Sequence, residues 1–231
     1  METTQEEEER KQNIQYLSDG VGFVELLGVF GDDLTVVNAA RVSLNKESLE
    51  LDDKDRRLIR YLAAHNHLSP FFHPQLRFRI KMPIYVAREW YRHTVGFARN
   101  EVSRRYVSSD PECWVPSEEG LRERSESIKQ GSKPEAVDNS SELHQRIASH
   151  MQQSCELYNQ LVESKVAPEV ARVVLPQSMY TEFIETASLY AYLRLIKLRQ
   201  SADAQVEIAS YASLITGFLY RHFPVSYSAF F

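Results

Sequence analysis

Residues Gln75-Leu76-Arg77-Phe78-Arg79-Ile80-Lys81-Met82 alternate polar and apolar side chains, the period of a strand with one wet face. Met82-Pro83 ends the pattern, and proline suits the first turn of a following helix because it has no N–H to leave unpaired. The β-branched and aromatic run Gly20–Phe30, closed by Gly31-Asp32, predicts a second strand, and the alternation over Met179–Thr186 predicts a third. Helical patterns of unequal number separate these strands, and no Gly-rich loop follows any of them. A doubly wound nucleotide fold is therefore disfavoured. The pattern predicts an α+β class, a single domain whose mixed, mainly antiparallel sheet carries packed helices.

The helices are read from apolar spacing. A short one runs from Asp33 to Arg41 with Leu34, Val36, Val37 and Ala40, capped by aspartate. A stronger one opens at Leu51-Asp52-Asp53-Lys54-Asp55, its acids complementing the helix dipole and Leu58, Tyr61 and Leu62 falling at helical spacing. A long helix from about Glu142 to Lys165 carries the stripe Leu143, Ile147, Met151, Cys155, Tyr158 and Val162, as core or as subunit contact. Ala167–Pro176 predicts a short helix ended by proline, and Leu189–Leu198 a helix continuing into Arg199. The last helix, Asp203 to about His222, is apolar over much of its circumference, so it is central in the fold or lies in an oligomer interface. Residues 1–12 are charged and poor in apolar anchors, which predicts a flexible end before a domain spanning 13–231. Residues 117–141 predict a helical fragment and a mobile connection.

A net charge of −5 argues against general affinity for nucleic acid or an acidic membrane. No apolar run has membrane-spanning length, and METTQEEEER does not resemble a signal peptide. Cys113 and Cys155 form neither a metal-binding spacing nor a disulfide framework, so a reduced, cytoplasmic setting is expected.

The positive charge is concentrated in Arg88–Tyr106, REWYRHTVGFARNEVSRRY, which holds five arginines, His93 and four aromatics. Ala87–His93 contains helix formers without a breaker, while Gly96 and the run after it read as a loop. A helix end beside an Arg-rich loop suits an anion, because guanidinium groups present paired donors to phosphate; a solvated charged surface is the alternative. His65, His67 and His73 lie within nine residues, but no Cys or carboxylate stands near them at ligand spacing, so no metal is expected.

The order Arg92-His93, then Asn100-Glu101-x-Ser103-x-Arg105-Tyr106, resembles the signature of the flavin-dependent thymidylate synthases, Arg-His-Arg, seven residues, Ser. Thr94 replaces the second arginine, and eight residues separate Thr94 from Ser103. His67-Leu68-Ser69-Pro70-Phe71-Phe72-His73 resembles a second family segment, which lies against the flavin. The likeness runs nearly end to end and is weakest over 117–141.

The resemblance implies transfer of a methylene from methylenetetrahydrofolate to dUMP and its reduction to methyl, with NADPH as reductant through FAD and no cysteine nucleophile. It implies a homotetramer whose active sites are shared between subunits. By residue matching, Glu89, Arg92, Glu101, Val102, Ser103, Arg104, Arg105, Arg172 and Arg199 are expected at the nucleotide, with Arg199 catalytic through stabilisation of negative charge on uracil. His67, Ser69, Arg92, His93, Thr94, Glu101, Ser188, Tyr190 and Arg194 are expected at FAD. Glu89 stands where glutamine is common and Arg104 where a small residue is common, and Arg99 is a candidate to restore the cation lost at Thr94. Cys113 beside Glu112 is expected to disfavour thiolate, and Cys155 on the apolar stripe to be buried. A nucleic-acid-binding module, or a flavin-binding homologue without methyl transfer, are the competing readings.

Overall fold

The computed structural model describes residues 12–106, 110–125, 131–201 and 203–231. β1 (Ile14–Tyr16), β2 (Phe23–Phe30), β3 (Gln75–Pro83), β4 (Phe97–Glu101) and β7 (Tyr180–Ser188) form one sheet in the order β1-β2-β3-β7-β4, antiparallel at every pairing. The alternation in β3 buries Leu76, Phe78, Ile80 and Met82 on the face that packs against helices. Phe78 meets Tyr192 of α6 (Leu189–Arg199) and Phe218 of α7 (Val206–His222) at ring distances of 5.2 and 5.5 Å. Helix α7 buries Ile208, Tyr211, Ala212, Ile215, Phe218 and Leu219, so its broad apolar surface is central in the fold.

α1 (Asp33–Arg41) and α2 (Asp53–Ala64) start on capping boxes made by Asp32 and Asp52. The carboxylate of Asp33, itself buried, accepts from the backbone N–H groups of Val225 and Ser226 at 2.8 and 2.9 Å, fastening α8 (Pro224–Phe230). The aromatic tail is thus a helix. The buried face of α2 runs through Asp55, Ile59, Leu62 and Ala63; Tyr61, expected inside, is 51% exposed and lies against His65.

Three further expectations need correction. Helix α3 (Ile84–Trp90) ends before Arg92 and His93, whose backbone N–H groups close tight turns onto Glu89 and Trp90. Buried Trp90 is the last helical residue, and the chain must reverse there to reach β4. The run after Gly96 is not a loop: Phe97–Glu101 pairs with β7 from Phe97↔Ala187 to Glu101↔Phe183. Within 117–141, the described residues hold a hairpin of β5 (Arg122–Arg124) and β6 (Ser132–Ala136), not a helical fragment. Lys133 pairs with Glu123 across it, and Arg122 pairs with Glu207 of α7, each at 2.7 Å. The expected flexible end, up to residue 11, lies outside the described residues.

α4 (Ser140–Glu163) buries only Tyr158 of its apolar stripe; Leu143, Ile147, Met151, Cys155 and Val162 are half-covered. It packs on α5 (Pro168–Ala171) and the 3-10 turn Arg172–Val174.

Candidate functional site

The expected nucleotide residues other than Arg105 fall on two clefts. The first, of about 910 Å³, is lined by Glu101, Val102, Ser103 and Arg104 after β4, by Arg172, and by Arg79 and Lys81 of β3. Much of its charge is already matched. Arg79 pairs with Glu25 and Lys81 with Glu112, each at 2.6 Å, and Thr181 donates to Glu101 at 2.6 Å. Ser103 Oγ accepts from the Arg105 backbone N–H at 3.3 Å, so the serine shapes a turn. Arg105 itself leaves this cleft: its guanidinium pairs with Glu169 at 3.2 Å and lies over the Tyr106 ring. Arg172 is exposed, with Nε donating to the Glu169 carbonyl at 3.3 Å and no acidic side chain paired to it among the described residues.

The second cleft, of about 620 Å³, is lined by Arg88, Glu89 and Arg92 at the end of α3 and by Arg199 at the end of α6. Arg199 Nη1 pairs with the Glu89 carboxylate, and its Nε donates to His93 Nε2 at 2.8 Å. That bond requires a lone pair on Nε2, so His93 is the neutral tautomer protonated at Nδ1. The ring is only 4% exposed. Burial first, and then the charges of Arg199, Arg194 and Arg99, push its pKa down to about 4. The arrangement sets a cation rigidly at the cleft, braced by a carboxylate and by an imidazole that stays uncharged.

The expected flavin residues are spread wider. His67 and Ser69 are exposed around the 3-10 turn Ser69–Phe72, and Phe72 of that turn packs against Tyr190 at 5.1 Å. Ser188 is buried, and its hydroxyl caps α6 by accepting from Ala191 N–H at 3.3 Å, so that oxygen holds the helix. Thr94 lies two residues before Gly96, whose φ of +83° is in the left-handed region that favours glycine. Arg99 does not replace the missing cation. It lies opposite Glu185 in the β4–β7 register and pairs with that fully buried carboxylate. By contrast, Arg88, Arg92 and Arg194 are exposed, with no acidic partner among the described residues. Unpaired guanidinium groups of this kind can donate paired hydrogen bonds to an anion. Among the described residues no three or more His, Cys, Asp or Glu side chains gather as a metal ion requires.

Sequence reasoning passes over Glu185, which also accepts from the Trp90 indole at 3.2 Å. Its signal is an acid in the same phase of β7 as Phe183 and Ala187, on the face that meets the core. Cys155 is half-buried, not buried, and both cysteines are free thiols. Burial and the neighbouring Cys155 thiol push Cys113 up to about 12, which disfavours a nucleophilic thiolate. A Cys113→Ala, Cys155→Ala variant is expected to keep turnover within about threefold of wild type, because the Cys113 thiol is held protonated and Cys155 lines neither cleft. Loss of turnover in a folded, flavin-loaded variant would refute this.

An antiparallel α+β fold whose clefts present arginines, one of them braced beside a neutral imidazole, defines a protein built for small anionic, nucleotide-like ligands. The sequence narrows the class. The family model described as thymidylate synthase complementing protein matches residues 25–225. Flavin-dependent thymidylate synthases of Thermotoga neapolitana and Thermosipho africanus are 39% identical over 209 residues and 37% over 213, with 90% of this chain and 90% of each relative covered. Among solved structures, a UMP/dUMP methylase, PolB, from Streptomyces cacaoi bound with 5-Br dUMP superposes with a TM-score of 0.79 at 31% identity, covering 90% of this chain and 93% of that one. The chain belongs to the flavin-dependent thymidylate synthase family.

Proposed function

We infer that this chain methylates dUMP to dTMP with methylenetetrahydrofolate as carbon donor, FAD as cofactor and NADPH as reductant. Beside family membership, the observation that carries the reading is Arg199, held between Glu89 and His93 in a cleft that also presents Arg88 and Arg92. FAD supplies the reducing equivalents when bound; Arg92, Arg194, His67 and Ser69 are the side chains offered to it. Arg199 faces the pyrimidine and stabilises negative charge on its carbonyl oxygens. Arg172, with Ser103 and Arg104 beside it, takes the phosphate.

The nucleotide residues divide between two clefts, Glu101–Arg104 and Arg172 on one, Glu89, Arg92 and Arg199 on the other. This division supports a homotetramer in which different subunits complete one site. The pairing of Arg79, Lys81 and Arg105 with acids leaves little continuous positive surface, which favours a small phosphorylated ligand over a nucleic acid. Among the described residues no helix is long and apolar enough to cross a membrane; the two free thiols accord with a reduced, cytoplasmic site of action.

The purified chain is expected to be yellow, or to take up FAD on titration, and to convert dUMP to dTMP when all three co-reactants are supplied. A colourless protein that takes up no FAD and makes no dTMP would overturn the reading. Arg172→Ala is expected to weaken dUMP binding by roughly 1.5–3 kcal/mol, the range for a lost charge-assisted contact. Deoxyuridine, without phosphate, should bind both forms alike in calorimetry. Equal losses for the two ligands would remove Arg172 from the phosphate site.

A further inference from the structure

Cys113 and Cys155 are far apart in sequence, yet their Sγ atoms stand 3.5 Å apart. Cys113 lies in the segment 110–116, which is fastened to the start of β7. Tyr180 N–H donates to the Glu112 carbonyl and Trp114 N–H to the Ser178 carbonyl, each at 2.8 Å, and Cys113 bridges Met179. Cys155 comes from α4, and one turn earlier Met151 Sδ accepts from the Ser178 hydroxyl at 2.8 Å. Three sulfur atoms thus gather where the helix meets the wall of the first cleft, to which the same segment contributes Asp110 and Glu112.

We propose that Cys113 and Cys155 are a modification site, an oxidisable dithiol that a hydroperoxide converts to an intramolecular disulfide, fastening the cleft wall 110–116 to α4. Forming the bond requires the sulfurs to approach by only about 1.5 Å, since a disulfide measures about 2.05 Å. One thiol sulfur gives an electron pair to the peroxide, whose O–O bond breaks, leaving a sulfenic acid and, from hydrogen peroxide, one water. The second thiol displaces the sulfenic hydroxyl as another water, and the S–S bond forms. The two sulfurs lose two electrons in all, and the peroxide accepts them. Partial burial restricts bulky disulfides, so a small hydroperoxide is the fitting oxidant.

The test uses the full chain as purified, treated with hydrogen peroxide and compared with a dithiothreitol-reduced sample. The expected product is about 2 Da lighter, has no free thiol, and is restored by dithiothreitol. Its Tm is expected to rise by roughly 5 °C or more, because a loop of this length is closed in the unfolded chain. Cys155→Ser should give neither the mass loss nor the rise in Tm. Two thiols that still titrate as free after excess peroxide, separate oxygen additions at each cysteine, or a disulfide form with unchanged Tm would each overturn the proposal. These readouts do not involve dUMP turnover, so they stand or fall apart from the proposed function.

Discussion

Replacing Arg199 with alanine is expected to lower kcat/KM for dUMP by about a hundredfold to a thousandfold, the range found when a fixed donor to a developing anion is removed. The fold should survive, because the side chain sits at the C-terminus of α6 and lines a cleft. The guanidinium is held in two directions, by the Glu89 carboxylate through Nη1 and by His93 Nε2 through Nε. Lysine supplies the charge as a point and cannot fill both positions, so Arg199→Lys should recover only part of the loss. The variant also changes His93. Burial is the main cause of the depressed pKa and the Arg199 charge the next, so the His93 pKa should rise from about 4 without reaching its ordinary 6.5. In the wild type the folded value lies below the unfolded one. Stability from the neutral ring is therefore fully present above 6.5 and is lost as pH falls from 6.5 toward 4. NMR titration of the His93 ring, alongside turnover and flavin absorbance, measures both effects. Turnover within threefold of wild type, or an unmoved His93 titration, would remove Arg199 from the role assigned here.

The strands buried on one side are legible in the sequence because burial writes a period of two into them. Leu76, Phe78, Ile80 and Met82 in β3 and Phe183 and Ala187 in β7 carry that signal. β4 lies at the sheet edge, with the polar run Phe-Ala-Arg-Asn-Glu, and becomes a strand through its pairing with β7. The β5–β6 hairpin is similar, since much of its support comes from ion pairs within itself and to α7. Local charge density marks the arginines of 88–105, but neither the pairing of Arg99 and Arg105 with acids nor the division of the others between clefts. That division follows from the reversal after Trp90 and from β4 carrying residues 101–104 to another part of the surface. No local pattern shows that Arg99 is occupied, because its partner lies 86 residues away.

That partner makes the second large effect. Glu185→Ala is expected to destabilise the protein by about 3–5 kcal/mol, the cost of removing one member of a buried ion pair. At this chain length that corresponds to a fall in Tm on the order of 10 °C. The side chain of Glu185 is 0% exposed and that of Arg99 14%, so the arginine left behind has little water to replace its carboxylate. The Trp90 indole N–H, which donates to both carboxylate oxygens at 3.2–3.3 Å, also loses its acceptor. Burial pushes the Glu185 carboxyl above its ordinary value, and the Arg99 charge is the main influence opposing this. Arg99→Ala should accordingly raise the carboxyl further, with a stability loss largest at neutral pH and shrinking in acid as Glu185 takes up a proton. If the damage comes from an unpaired buried charge, removing both charges should cost less than removing one. Arg99→Leu with Glu185→Leu is therefore expected to recover most of the loss in urea titrations, giving a favourable interaction energy well above 1 kcal/mol. The geometry links this pair to function. Trp90 ends the helix bearing Arg88 and Glu89, while Arg99 lies on the strand leading to Glu101 and Ser103, so one carboxylate anchors the approaches to both clefts. Single variants that each cost under about 1 kcal/mol, or a double variant that costs their sum, would show that Glu185 is not this anchor.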